Sequence, residues 1–265
     1  MTGTSGQAAF ASTAFEINDA AWTLRDGAPL LLLATDVGLY ELPYQPGASP
    51  VQVLVDPQSQ NLGFYAVVAS RDVRGQVTVA VAAQGARGVF LSSAGGQRNT
   101  FRLIGLRGED VRVLGVQYDG PRAFLWAGAA AAGPDDPGKG CFRWELLGTP
   151  DPPDGWRPFS VGWNGGSCRA LAFLGTRVMA ASFRSGVLRL NTGDREPRWE
   201  APDVRCGLPL RDAGRFLPMN SVAAGAAETM AGTDDGLFRS ADGGVTYERA
   251  ARTEFSDQDR VTLPP

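Results

Sequence analysis

The stretch Gly236–Ala250 reads "GLFRSADGGVTYERA". It combines a short apolar segment, a turn-forming run from Ser240 to Gly244 and a Thr-Tyr pair. Short apolar runs bounded by Gly, Asp and Ser are typical of strands joined by tight turns. The stretch therefore predicts two strands connected by a hairpin, and it serves as a probe for related segments elsewhere in the chain.

The opening pentapeptide of this stretch has four counterparts upstream. With the probe itself, the five matching segments begin at Gly38, Gly88, Gly140, Gly186 and Gly236, which are 50, 52, 46 and 50 residues apart. Apolar segments precede each glycine, and a segment that usually contains an aromatic residue follows. Each repeat therefore reads as four consecutive short strands, which we name A to D.

A four-stranded meander cannot bury both of its faces alone, and radial stacking of such units gives a β-propeller. We expect an all-β fold: one propeller domain over residues 1–265 with about five blades, or five blades of a six- or seven-bladed ring. Residues 251–265 form a tail or a closing strand, and the segments 8–12 and 259–263 are candidates for closing the ring. The alternatives are an irregular sandwich, or a chain that is part of a longer propeller or fusion. The predicted blades are centred on residues about 14–56, 62–105, 110–161, 166–201 and 216–250.

The opening turn also resembles a known motif. It is similar to the Asp-box, or BNR, pattern Ser-x-Asp-x-Gly-x-Thr-Trp, in which other aromatic residues are tolerated last. A weaker copy runs from Ser92 to Gly96, with Ala94 in the Asp position, and continues to Thr100 and Phe101. Glycine allows positive φ, the carboxylate accepts turn N–H groups, and the aromatic side chain is buried between blades. The matching residues are Ser240, Asp242, Gly244, Thr246 and Tyr247.

The resemblance implies a structural role for this turn. In Asp-box propellers such as sialidases, sortilin-type receptors and photosystem assembly proteins, the box lies on the face opposite the usual ligand entrance. The resemblance therefore implies that this turn stabilises the fold, and it assigns no catalytic residue to this chain. The sialidase signature Phe-Arg-Ile-Pro is absent, so we expect a non-catalytic relative.

Composition excludes several function classes. The chain has no histidine, which excludes Ser-His-Asp, Cys-His and His-zinc chemistry. A net charge of −3 gives no reason to bind nucleic acid. Cys141, Cys168 and Cys206 fall in no metal-ligand spacing, so we expect burial, no metal and no cofactor. Without a long apolar run or a signal peptide, we expect no membrane insertion and a cytoplasmic location, or export within an assembly.

The loops between strands B and C are the candidate binding surface, because propeller loops carry binding residues. The longest of them is 128–139. The stretch Gly133–Gly140 nearly matches a phosphate-binding loop, but Gly140 replaces the required hydroxyl and a strand follows. Charged residues recur in all these loops. The predicted binding rim consists of Asp36, Arg87, Asp135, Asp136, Lys139, Arg184, Asp234 and Asp235.

Two functions compete for this rim. The first is a non-enzymatic scaffold or recognition module that binds another protein or an assembly subunit, for example in a phage-tail-like particle. The alternative is a carbohydrate-binding or sialidase-like glycosidase propeller, with Asp36, Asp234 and Asp235 as paired carboxylates. Six tryptophans could stack on sugar rings, but Trp126 and Trp144 lie in predicted strands and are expected in the core, as is Trp199. We expect no catalytic residue.

Overall fold

The computed structural model describes residues 15–56, 61–72, 75–146, 155–212 and 214–250. Within these ranges all regular elements are strands, which form six antiparallel sheets. The all-β prediction is confirmed. The described ranges also contain no helix with the length and apolarity that a bilayer crossing requires. The predicted closing segments 8–12 and 259–263 and the tail 251–265 lie outside the described residues.

Five of the sheets are blades in which neighbouring strands follow the chain order. The first two blades contain β1 (Ile17–Arg25), β2 (Ala28–Thr35), β3 (Gly38–Pro43) and β4 (Val51–Val53), then β5 (Phe64–Arg71), β6 (Val77–Ala83), β7 (Gly88–Ser92) and β8 (Arg102–Gly105). The third contains β9 (Val111–Asp119), β10 (Arg122–Ala129), β11 (Cys141–Glu145) and β12 (Trp156–Phe159), and the fourth β13 (Cys168–Leu174), β14 (Arg177–Ser182) and β15 (Val187–Asn191). A hairpin of β16 (Leu210–Asp212) and β17 (Arg215–Phe216) precedes the fifth blade, which contains β18 (Met219–Ala224), β19 (Thr229–Thr233), β20 (Gly236–Ser240) and β21 (Glu248–Arg249).

Blade 4 departs from the predicted four strands. Its D position is reduced to a single bridge between Arg189 and Glu200. Trp199 instead donates its backbone N–H to Val161 of blade 3 (2.9 Å), and its indole packs edge-on against Trp126 at 6.4 Å. The aromatic residue that the repeat places in strand D is therefore used to join two blades. The hairpin β16–β17 follows in a region to which the sequence assigned no element.

The core lies between the blades. Blades 2 to 5 each place a row of three apolar residues, one from each of strands A, B and C, against the preceding blade. In blades 2 to 5 these rows are Val67–Val81–Phe90, Leu114–Ala127–Phe142, Leu171–Ala180–Leu188 and Val222–Ala231–Phe238. They belong to four apolar clusters, one at each junction between consecutive blades. The predicted burial of Trp126, Trp144 and Trp199 is confirmed, and all three cysteines are buried and free.

Among the described residues, the ring is open on one side. The A strands pack in the order β1, β5, β9, β13 and β18, while no comparably extensive contact joins β18 back to β1 within the described residues. In blades 2 to 5 one face packs against the preceding blade. The same face of blade 1 carries Trp22 and Tyr44, which are 59% and 73% exposed. Their rings touch edge-on at 5.5 Å. The five described blades thus leave an apolar face of blade 1 uncovered.

Candidate binding rim

The innermost strand of every blade carries a β-bulge at the same place. In each A strand, one residue near the start of the strand has no partner in strand B. The start of strand A lies beside the B-to-C loop. A bulge leaves its extra residue unpaired and re-aims the side chain. The bulges therefore place five side chains together at one end of the ring, on the B-to-C rim. The skipped residues are Asn18, Tyr65, Arg112, Arg169 and Asn220.

Four of these side chains contact neighbouring groups. Asn18 donates a hydrogen bond from Nδ2 to the carbonyl oxygen of Phe64 in the next blade (2.9 Å), and Asn220 donates to the Asp234 carboxylate (2.7 Å). The Arg112 guanidinium lies over the Tyr65 ring, 4.6 Å from its centroid. The fifth, Arg169, is exposed and makes no hydrogen bond or ion pair with any described residue.

Arg112 is held in place by an acidic neighbour. Its Nε and Nη2 atoms both donate to Oδ2 of Asp110, at 3.1 and 2.9 Å. Partial burial is the largest single effect and lowers the pKa of Arg112, but the hydrogen bond to Asp110 and the electrostatic attraction of Asp110 and Tyr65 together outweigh it, so the pKa is raised. The third nitrogen, Nη1, makes no hydrogen bond within the described part of the chain. This leaves one edge of a fixed guanidinium available.

The predicted rim residues of blades 1, 2 and 5 lie in their own B-to-C turns. Asp36 accepts the backbone N–H of Glu16 (3.0 Å), and Asp234 accepts the Asn220 amide. Arg249 donates to the carbonyl oxygen of Asp235 and to its carboxylate oxygen Oδ1 (3.4 Å). Arg87 lies in the turn between β6 and β7. The carboxylates proposed as a glycosidase pair therefore serve as hydrogen-bond partners within their own blades.

The long loop between β10 and β11 is folded on itself. Asp136 accepts N–H groups from Gly138 (2.9 Å) and Ala132 (2.8 Å), and these bonds lower the pKa of its carboxyl. Lys139 pairs with Glu109 at 2.6 Å. Gly138 has a φ of 76°, and a side chain there would meet the carbonyl oxygen of Gly166. The loop therefore has a fixed shape that requires glycine at this position.

Three segments meet at this loop. Arg184, from the B-to-C loop of blade 4, donates to the carbonyl oxygens of Asp135 and Asn164, both at 2.9 Å. The Asp135 carboxylate pairs with Arg215 of the hairpin at 3.1 Å. The hairpin is also tied to blade 4, because Phe216 donates its N–H to the carbonyl oxygen of Arg184 (3.1 Å). Among the predicted rim residues, the structure thus brings Asp135 and Arg184 into contact.

Two cavities flank Phe183 on this part of the rim. One, of about 250 Å³, lies between the long loop and the hairpin, and the other, of about 400 Å³, includes the bulge residues Arg112 and Arg169. Their walls contain five arginines but only two carboxylates, Asp135 and Asp212, so the surface is locally cationic on a chain with a net charge of −3. The arginines are Arg112, Arg169, Arg184, Arg211 and Arg215.

Sequence reasoning identified only Arg184 among these five arginines. A signal for two others was present in the repeat: Arg112 and Arg169 each stand two residues before the A-strand member of the apolar row, as Tyr65 does in blade 2. Arg211 and Arg215 had no comparable signal, because the hairpin lies outside the repeat, whereas Phe183 lies beside the predicted Arg184 in the B-to-C loop of blade 4. Aligning the repeats on their A strands would have placed two cations at the rim.

The Ser240–Tyr247 turn, which we call the clasp, joins strands C and D at the opposite end of its blade. Gly243 and Gly244 have φ values of 74° and 88°, and Tyr247 is buried, as expected from the turn chemistry. Gly244 donates its N–H to Ser240 Oγ (2.8 Å). The weaker copy keeps this contact, from Gly96 to Ser92 Oγ at 3.2 Å. Within the described ranges, no group of three potential metal ligands occurs at either end.

No protein-family model and no curated protein matches the chain. Solved structures do resemble it. The extracellular domain of a proposed one-component system from B. thetaiotaomicron is 16% identical, with a TM-score of 0.58 over 90% of this chain and 28% of that one. A chain of the Chaetomium thermophilum Polycomb Repressive Complex 2 is 14% identical, with a TM-score of 0.56 over 85% of this chain and 51% of that one. A gluconolactonase from Xanthomonas campestris is 14% identical, with a TM-score of 0.52 over 90% of this chain and 77% of that one.

These likenesses concern the fold alone. The chain spans 28% and 51% of the first two structures named. Together with the five radially ordered sheets, the likenesses define the class of protein: a multi-bladed β-propeller.

Proposed function

We propose that this propeller is a non-enzymatic recognition module that binds another protein, or a subunit of a larger assembly, through the rim of blades 3 and 4. One observation carries the proposal. The long loop, the loop of blade 4 and the β16–β17 hairpin are joined through Asp135, Arg184 and Arg215 around two cavities.

Two features of this surface favour protein binding. Arginine and aromatic side chains beside pockets are the residue types that dominate binding energy in protein interfaces. The loops are already ordered by internal hydrogen bonds, so little conformational entropy remains to be lost on association. Fixed loops that carry arginines around an aromatic side chain are thus suited to a protein partner.

The chemistry of the rim supports a non-enzymatic role. The chain has no histidine to act as a general base. The carboxylates of Asp36, Asp136 and Asp234 each accept hydrogen bonds from nearby protein groups. They are therefore used to shape turns, which is the common role of aspartate in loops.

Site-specific photo-crosslinking tests this proposal. A photoreactive phenylalanine derivative would replace Pro134, which is exposed in the long loop and lines the smaller cavity. The matched control would replace Val245 in the clasp, which is 47% exposed at the other end. In lysate from the native source, we expect one discrete crosslinked protein from position 134 and none from position 245.

A loop deletion and a glycan array complete the test. Replacing residues 131–138 by two glycines should abolish the crosslinked product without changing the β-rich circular dichroism spectrum. Equal crosslinking from both positions would overturn the assignment of binding to the rim. A strong glycan signal with no protein product would overturn the proposal in favour of the carbohydrate-binding alternative.

A further inference from the structure

Arg112 and Arg169 occupy the same bulge position in neighbouring blades and line the same cavity of about 400 Å³. We propose that they form a binding site for carboxylate side chains in an extended acidic segment of the partner protein. This inference rests on the proposed function and names the chemistry that the rim recognises.

The two guanidinium groups differ in a way that suits one ligand. Arg112 is fixed by Asp110 and by the Tyr65 ring, with Nη1 unengaged among the described residues. Arg169 is exposed and unpaired within those residues. Arginine presents planar donors that match a carboxylate. Asp110 offsets the charge of Arg112, so Arg112, Arg169 and Asp110 together keep a net charge of about +1. Arg169 has no counterion among the described residues.

The cavity wall supplies a third donor and an apolar surface. Ser167 Oγ accepts the N–H of Ala131 (2.9 Å), and its own hydrogen has no acceptor among the described residues. Val113, Ala130 and Phe183 line the same space. This combination fits a glutamate side chain, whose carboxylate would meet the arginines while its methylene groups lie against the apolar wall.

The smaller cavity extends the site beyond a single carboxylate. It lies on the other side of Phe183 and contains Arg211, which is exposed and has no partner in the described ranges. An extended chain places alternate side chains about 7 Å apart on one side. A segment with several acidic residues would therefore reach both cavities, whereas a single small dicarboxylate would occupy only one.

Fluorescence anisotropy of labelled hexaglutamate tests the proposal at low salt, where screening is weak. We expect saturable binding to the full chain that Arg169→Gln weakens about tenfold, the change expected from loss of one charge-assisted hydrogen bond. The matched control is Arg195→Gln, another exposed arginine that lines neither cavity. It should leave binding unchanged, and both variants should keep the parental melting temperature.

Each other outcome overturns the inference. Absent binding, or equal weakening by Arg169→Gln and Arg195→Gln, would show that the bulge arginines form no specific site. Competition by glutarate at the same molar concentration as hexaglutamate would assign the cavity to a small dicarboxylate instead of a peptide. A crosslinked partner from position 134 without hexaglutamate binding would leave the proposed function standing and remove only the acidic segment.

Discussion

Removing the carboxylate of Asp242 should destabilise the clasp by an amount that can be worked out from its contacts. The carboxylate accepts four donors: Ser240 Oγ (2.8 Å), Val245 N–H (3.0 Å), Thr246 N–H (2.9 Å) and Thr246 Oγ (2.6 Å). Most of these donors are exposed, so water replaces the acceptor and each bond contributes only about 0.5 kcal/mol net. We expect Asp242→Ala to lower the free energy of unfolding by about 2 kcal/mol.

Thermal unfolding followed by circular dichroism measures this change. For a chain of this size, about 2 kcal/mol corresponds to a fall of roughly 4–8 °C in melting temperature. Asp242→Asn keeps one acceptor oxygen and should lose about half as much. The matched control is Asp203→Ala, because that exposed carboxylate accepts the single N–H of Arg205 (2.7 Å) and should contribute about 0.5 kcal/mol. Equal melting temperatures for Asp242→Ala and Asp203→Ala would refute the reasoning.

The stabilisation should also depend on pH. The Thr246 hydroxyl and N–H groups, with Ser240, hold the pKa of Asp242 well below its ordinary value. A carboxyl whose folded pKa is depressed stabilises the fold above its unfolded pKa, near 4, and loses that contribution as the pH falls toward the folded pKa. The difference in stability between the parent and Asp242→Ala should therefore shrink below about pH 4. A difference that stays constant down to about pH 2 would contradict the assignment.

Three further predictions concern other parts of the fold. Iodide should quench Trp22 alone among the six tryptophans, because the other five are buried, and Trp22→Phe should abolish the quenchable emission. Gln117→Leu should cost about 3 kcal/mol in urea unfolding, since the buried amide accepts from Trp126 Nε1 (2.8 Å) and donates to Gly175 (2.8 Å) across two blades. Burial raises the pKa of the Cys141 and Cys206 thiols, so Ellman's reagent should label neither at neutral pH until the protein unfolds.

The repeat was readable because its glycines have a backbone role. Four of the five repeat glycines, Gly88, Gly140, Gly186 and Gly236, lie at the first residue of strand C or just before it and have positive φ, between 71° and 131°. Such a conformation favours glycine, so it marks the sequence in blades 2 to 5. The bulges left no such mark, because a skipped pairing depends on register and accepts any residue type. Asn18 and Tyr65 share the bulge position with arginines, so residue identity alone could not reveal it.

The missing D strand of blade 4 escaped prediction for a different reason. Trp199 fits the aromatic position of the repeat, and it is buried as that position requires. Its backbone pairs with Val161 in blade 3, however, and its indole Nε1 donates to the carbonyl oxygen of Phe159 (2.8 Å). A local pattern predicts that an aromatic residue is buried, whereas the blade that receives it is decided by tertiary packing.

The two ends of the propeller differ in how their polar groups are satisfied, and this difference separates stability from binding. In the clasp, Asp242 finds its donors within four residues of the chain. On the rim, Arg169 and Arg211 have no partner among the described residues and add no contact that stabilises the fold. Exposed side chains without contacts contribute little to folding. Asp242→Ala should therefore lower the melting temperature and leave hexaglutamate binding intact. Arg169→Gln should weaken hexaglutamate binding and leave the melting temperature unchanged. A variant at either end that changes both measurements together would show that the rim and the clasp are coupled through the blades.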